Sequence, residues 1–559
     1  MTPHPALPIK QRAAAPTSAR HRLPFLVAMP SAWRSVLVGM VLLSAGCTAP
    51  SPVEIIVTPG ATPLPTSLPF EPRSTVPIRP MPTLQPMIPT DPEAPAGLPP
   101  FIPRPTEVPL PRLCLMPAFA DVLAQMPGCT AYDIRLEIDP ERSHVDGTQR
   151  IDYTNATGQP LNDLVLRLFP NAPHYGGAMT VTHTQVGGRL VTGTLKLDDT
   201  VLRLPLQPPL AAGGRITVSM DFGVTVPRTR SVGFGLFSYV SGVMALPNVY
   251  PMIPAHVGEG WSAEVAPNYA DDVHAAVAAY SVRVTAPSDL TLVASGVCNA
   301  IGPGRWICDA SPMRDFTLVL SSKFQRVAQL VNGVVVNSYF YPGYQQSGQF
   351  ALDVAADAVR AFTEYVGPYP YSELDVVMTP SLLGGMEYPG LVVVKDAYYA
   401  GDPRLEWIVA HEVAHQWWYV VVGSDQVNVP WLDESLTSYS TMLYYEYLYG
   451  KGRAAGIVEG EFRGTYRELR SRGYDLPVGL PADEYGGSLY WDVIYRQGPL
   501  YFDALRAEVG DRAFFEILRT YYTENRFGLT TPERLLDAVE AVSGDRHLAL
   551  FDEWILGGE

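Results

Sequence analysis

Near Tyr344 the apolar period of this chain changes, and that change limits its fold more than any other feature. Upstream, "YDIRLEIDP", "GTQRIDYTN", "LVLRLFPN", "GRITVSMDFGV", "AYSVRVTAP" and "FTLVLSS" are short runs rich in Val, Ile, Leu, Thr and aromatics. Many of them alternate apolar with polar residues and are punctuated by Gly, Pro, Asn and Asp, the pattern of strands with one buried face. Downstream, "FALDVAADAVRAFTEYVG" (350–367) reads as an amphipathic helix stopped by Gly367 and Pro368. "ELDVVMT" and "GLVVVKD" read as strands, 402–422 as a helix with Pro403 in its first turn and Gly423 past its end, and 433–451 as another helix. The remainder to Glu559 is mainly helical in pattern. The fold class expected is therefore multidomain: an all-β domain over 113–344, then an α+β, mostly helical domain over 345–559.

The first 112 residues belong to neither domain. Twenty of the 54 prolines fall between Thr48 and Pro111, a run that cannot hold a helix and reads as an extended tether. Before it stands "RSVLVGMVLLSAGC", a positive flank, a short apolar core and a small-residue exit, as in a signal peptide over 1–47. The apolar run is shorter than the ~20 residues a membrane span needs. Cys47 after Ser-Ala-Gly resembles a bacterial lipobox, although Ser44 stands where leucine is usual; Met29 would give a more conventional start. The expected location is extracytoplasmic, lipid-anchored at the outer face of the membrane or secreted. With Cys47 acylated, Cys114, Cys129, Cys298 and Cys308 remain as two locally spaced pairs, which suits two short-loop disulfides, Cys114–Cys129 and Cys298–Cys308. A formal charge of −16 argues against nucleic acid as a partner.

"HEVAHQWW" (411–418) carries the chemistry. A single histidine on a helix is more often packed or solvated than a ligand. His411 and His415, however, lie one turn apart on one face, where two imidazoles can bind one cation, and Glu412 neighbours that face. A catalytic zinc needs a third protein ligand and an open position. Glu434, in "WLDESLTSYS", is separated from His415 by eighteen residues, enough to return on a neighbouring helix. Alone, Glu434 also suits a helix N-terminus, and Asp433 beside it reads equally as a cap. No cysteine lies near the motif, and two imidazoles with one carboxylate favour a single Zn2+ without excluding cobalt or manganese.

H-E-x-x-H-x18-E, with "QWW" and "WLDE" around it, resembles the gluzincin family of aminopeptidase N and leukotriene hydrolase. "LLGGMEYPG" (382–390), "YVGPYPYSELDVV" (365–377) and "YWDVIYRQG" (490–498) resemble further segments of that family. The resemblance covers about 129–559 and implies a β saddle followed by a thermolysin-like catalytic domain. It implies zinc held by His411, His415 and Glu434, with Glu412 as general base and Tyr495 stabilising the oxyanion, Tyr490 being a second candidate. Peptide substrates are implied, their free α-amine gripped by Glu387 on a strand with Gly384, Gly385 and Met386. Three positions depart from the family: Tyr388 for Asn, Gln497 for Lys, and Ser435 for Gly. The chain is also expected to lack the large C-terminal helical domain of longer members, leaving a more open cleft. An aminopeptidase is the leading expectation; an endo- or oligopeptidase on the same site and a catalytically silent surface-binding protein are the alternatives.

Overall fold

A computed structural model describes residues 114–558 apart from 231, 232 and 259. The expected signal segment, Cys47 and the proline-rich stretch lie outside the described residues.

The alternating runs form strands. In Thr130–Asp139, Tyr132, Ile134, Leu136 and Ile138 face inward while Arg135 and Glu137 face solvent. Each fully buried large apolar side chain contributes about 1.5–3 kcal/mol, so this alternation sets the register. The strand pairs antiparallel with His144–Thr154 and parallel with Ala278–Thr285, at the centre of an eight-stranded sheet. A four-stranded sheet, from Thr291–Ala294 to Ser238–Val240, a three-stranded one, including Leu161–Arg167, and a two-stranded one, His256–Val257 with Gly260–Trp261, also belong to the β domain.

The C-terminal half begins earlier than expected. Gln325–Val331 and Val334–Phe340 join a five-stranded sheet with Glu373–Thr379, Leu391–Lys395 and the short edge strand Gly385–Met386. Sheet membership thus assigns 325–340 to the second layer, with Val334–Phe340 buried almost throughout. On this sheet packs helix α1, Gln345–Tyr365, which starts five residues before the expected Phe350 and also contacts helix α2, Arg404–Ala414. Helix α3, Trp431–Tyr449, packs against both. Further helices at Pro499–Val509, Asp511–Asn525 and Pro532–Ser543 complete a mostly helical domain, as expected.

Two expectations are corrected. The helix expected over 402–422 ends at Ala414, and the chain then turns irregularly, with Tyr419 at φ 123°. The β-branched run Val420-Val421-Val422 favours that exit, and the β domain fixes it. Arg314, fully buried, donates Nε to Tyr419 O (2.7 Å) and its terminal nitrogens to Ala275 O (2.6 Å), Val420 O (3.4 Å) and Gly528 O (3.0 Å). An added Cβ at Gly423 would meet Arg314 Cζ at 2.1 Å, so glycine is required for this approach. Asp315 accepts from the Tyr419 phenol beside it.

The second correction concerns the cysteines. Cys298 and Cys308 are directly opposed across two strands and form a disulfide, but Cys114 and Cys129 are free thiols. Two short 3-10 turns separate them in the chain. Cys129 Sγ contacts Thr130 O and Val277 O in the β domain, whereas the Cys114 carbonyl accepts from Ser372 N beside the second sheet. Proximity in sequence misled here.

Candidate active site

His411 and His415 close α2, and Glu434 opens α3; all three are buried. Their approach is specific. Glu434 Oε2 lies 3.2 Å from His411 Nε2 and 3.3 Å from His415 Nε2, and the two Nε2 atoms are 3.3 Å apart.

The outer nitrogens decide the tautomers. Thr441 Oγ1 donates its hydrogen to Thr437 O (2.9 Å), so at 3.3 Å it accepts from His411 Nδ1–H. His415 Nδ1 lies 2.8 Å from Asp433 Oδ1 and 3.1 Å from Trp418 O, both acceptors, so it too carries hydrogen. Neutral rings with hydrogen on Nδ1 present lone pairs at Nε2. Two nitrogen lone pairs and a carboxylate oxygen then face one another, an arrangement that repels unless a cation lies between them. Four-coordinate zinc with bonds of ~2.0–2.1 Å sets its ligand atoms ~3.3–3.4 Å apart, so the donor set fits that ion. Against burial, Asp433 and Glu434 hold His415 well above the usual imidazole range, so a proton and a metal ion compete for the same Nε2 lone pair. These residues favour positive charge here. His411, by contrast, is lowered by burial.

Two other acidic groupings overlap this one, Glu387–His415–Asp433 and Asp271–Glu387–Glu434. The first has one imidazole and the second offers carboxylates alone, so neither matches the two-imidazole set.

Glu412 follows His411 and is also buried. Burial, then the neighbouring Glu387, raises its carboxyl well above the ordinary range. A Cβ at Gly385 would sit 2.3 Å from Glu412 Oε1, so only glycine lets the edge strand pass this close. Gly384 and Met386 flank it, with Gly384 O accepting from Lys395 N at 2.9 Å. Tyr495 Oη donates to Glu434 Oε1 at 2.5 Å, and its ring stacks on His411 with centroids 5.7 Å apart. Burial and the Glu434 charge raise this phenol well above its usual range, so it stays a neutral donor. Tyr490 is buried beside it, with its hydroxyl lacking a hydrogen-bond partner among the described residues.

Glu387 lies at the other end of the site, and burial pushes its carboxyl up to about 8. It lines a small cavity together with Met386, Tyr388, Asp271, Gln426 and Tyr419. Every proposed ligand, base and contact residue is therefore brought to one place except Tyr490, which stands one ring behind Tyr495. The departures have structural partners. Ser435 Oγ donates to Ile494 O (2.6 Å), tying α3 to the turn that carries Tyr495, and Gln497 Nε2 donates to Leu476 O (3.1 Å). Tyr388 is buried, and its carbonyl accepts from Gln416 Nε2 at 3.2 Å.

Sequence reasoning missed Asp271, Gln426, Thr437 and Thr441, and left the role of Asp433 open. Asp271 comes from the β domain, yet its carboxyl stands within 4.8 Å of ligand atoms on Glu387 and Glu434. No local pattern marks it. Thr437 and Thr441 could have been found as the α3 positions one and two turns beyond Glu434 on its face.

Fold and site together define a β-saddle protein with a thermolysin-like domain and a buried His-His-Glu metal-binding centre. Residues 350–554 match the peptidase family M1 domain. Aminopeptidase M1 of Arabidopsis thaliana is 25% identical over 235 residues, 40% of this chain and 27% of the relative. Aminopeptidase N of Lactococcus lactis is 26% identical over 276 residues, 45% of this chain and 32% of the relative. The chain thus matches about a third or less of the length of these curated relatives. A crystal structure of the M1 zinc metallopeptidase from Deinococcus radiodurans superposes with a TM-score of 0.59 at 20% identity, covering 76% of this chain and 93% of that one. A mutant of that enzyme, solved with a Tyr-Ser-Ala substrate, superposes with a TM-score of 0.57 at 19% identity, covering 77% and 94%.

Proposed function

We propose that this chain is a zinc-dependent aminopeptidase that removes N-terminal residues from peptides. The observation that carries the reading is the convergence of His411 Nε2, His415 Nε2 and a Glu434 oxygen at 3.2–3.3 Å, with Glu412 on the same helix and Glu387 near by. His411, His415 and Glu434 would hold a zinc ion, which would supply Lewis acidity to the scissile carbonyl and to the attacking water. Glu412 takes the proton of the attacking water and returns it to the leaving amine. Tyr495 leaves Glu434 Oε1 and donates its hydroxyl to the developing oxyanion. Glu387 pairs with the α-ammonium of the first residue, and a blocked amine would leave that buried carboxylate unpaired. The names of the relatives, two of them aminopeptidases and one a zinc metallopeptidase, support the same reading.

The leader-like run ending at Cys47 and the proline-rich stretch behind it support a lipid-anchored, extracytoplasmic enzyme on a tether. The Cys298–Cys308 disulfide is consistent with such a compartment.

Metal removal tests the proposal. Dialysis against a chelator is expected to lower hydrolysis of alanyl-aminomethylcoumarin at least about a hundredfold, and one equivalent of zinc per chain to restore it. Hydrolysis that continues in the chelated protein would rule the reading out.

A further inference from the structure

Gln426 has no part in the chemistry above, yet it touches both ends of the site. It is buried in the irregular segment between α2 and α3. Its carboxamide makes three hydrogen bonds, with both N–H groups in use. Val273 N, from the β domain, donates to Oε1 at 3.2 Å, and this contact identifies the other end of the group as the nitrogen. Nε2 then donates one hydrogen to Asp433 Oδ2 (2.8 Å) and the other to Glu387 Oε1 (3.1 Å). One planar group therefore links the carboxylate that orients His415 with the carboxylate that faces the cavity.

The choice of side chain is informative. A carboxamide supplies two N–H groups to two carboxylates and adds no formal charge. Lysine or arginine here would neutralise Glu387 and repel an arriving ammonium, whereas an aliphatic side chain would leave both acidic oxygens without a donor.

We infer that Gln426 is a positioning residue for amine recognition, holding one Glu387 oxygen so that the carboxylate meets the α-ammonium of a peptide's first residue. This rests on the aminopeptidase reading. Because Val273 orients the carboxamide, docking of the β domain enters the specificity of the site.

The test is a double-mutant cycle on the full chain. Gln426→Met keeps the length of the side chain and removes its donors. It is expected to raise KM for alanyl-aminomethylcoumarin about tenfold, with kcat within about threefold and zinc content unchanged. On a Glu387→Gln background the same change is expected to move KM by less than about twofold. Gln426→Glu, which preserves size and the acceptor for Val273, is the second variant and should show the same background dependence if Gln426→Met does not fold. Equal losses on both backgrounds, or a loss carried by kcat and accompanied by zinc release, would overturn the role of Gln426. Wild-type protein that cleaves N-acetylated and free substrates alike would instead overturn the aminopeptidase reading, and the amine-positioning role with it.

Discussion

Glu412→Gln is expected to lower kcat on a free-amine peptide about a thousandfold, within the usual range for losing a general base, while zinc stays bound. The substitution is isosteric, and no Glu412 atom belongs to the group formed by His411, His415 and Glu434. Only the ability to exchange a proton is lost. Burial and nearby acids raise the Glu412 carboxyl, which suits a group that must take a proton from water and release it to an amine. Initial rates read against metal content by mass spectrometry check this. A drop of less than tenfold would remove Glu412 from the proton path, and zinc loss in parallel would show that the residue supports the metal centre instead.

Arg314→Ala is expected to cost about 3–5 kcal/mol of stability, because the buried guanidinium is the donor to four carbonyls. Those acceptors lie in the β domain, in the segment after α2 and near Leu529, so one side chain secures three parts of the molecule. Arg314→Lys should recover only part of the loss, since an ammonium cannot reproduce the planar fork. Urea unfolding is the measurement, and a shift below about 1 kcal/mol would show that water or a local rearrangement replaces the missing donors.

What could be read from the sequence follows the range of the interactions. His411, Glu412 and His415 share one helix, and Glu434 opens the next, so short spacings carried the metal centre. The strand alternation in Thr130–Asp139 and the helical period of α1 are local in the same way. Failures arose where distant groups compete with local preference. Nothing in "HEVAHQWWYVVVG" reveals that Arg314 will take the carbonyls of Tyr419 and Val420, so the helix was expected to run on. Cys114 and Cys129 are close in the chain yet belong to different packing environments. Gln426 sits in a segment with no period, and its importance lies in contacts with Glu387, Asp433 and Val273 that only the folded chain makes.

The most direct measurement compares alanyl-aminomethylcoumarin with its N-acetylated twin on zinc-loaded protein. Glu387, whose carboxyl is held up to about 8 by burial and ionises on meeting a cation, predicts a kcat/KM ratio of at least about a hundredfold in favour of the free amine, of the order expected when a buried charge loses its partner. A ratio near one would contradict an aminopeptidase and leave a peptidase that does not recognise the N-terminus.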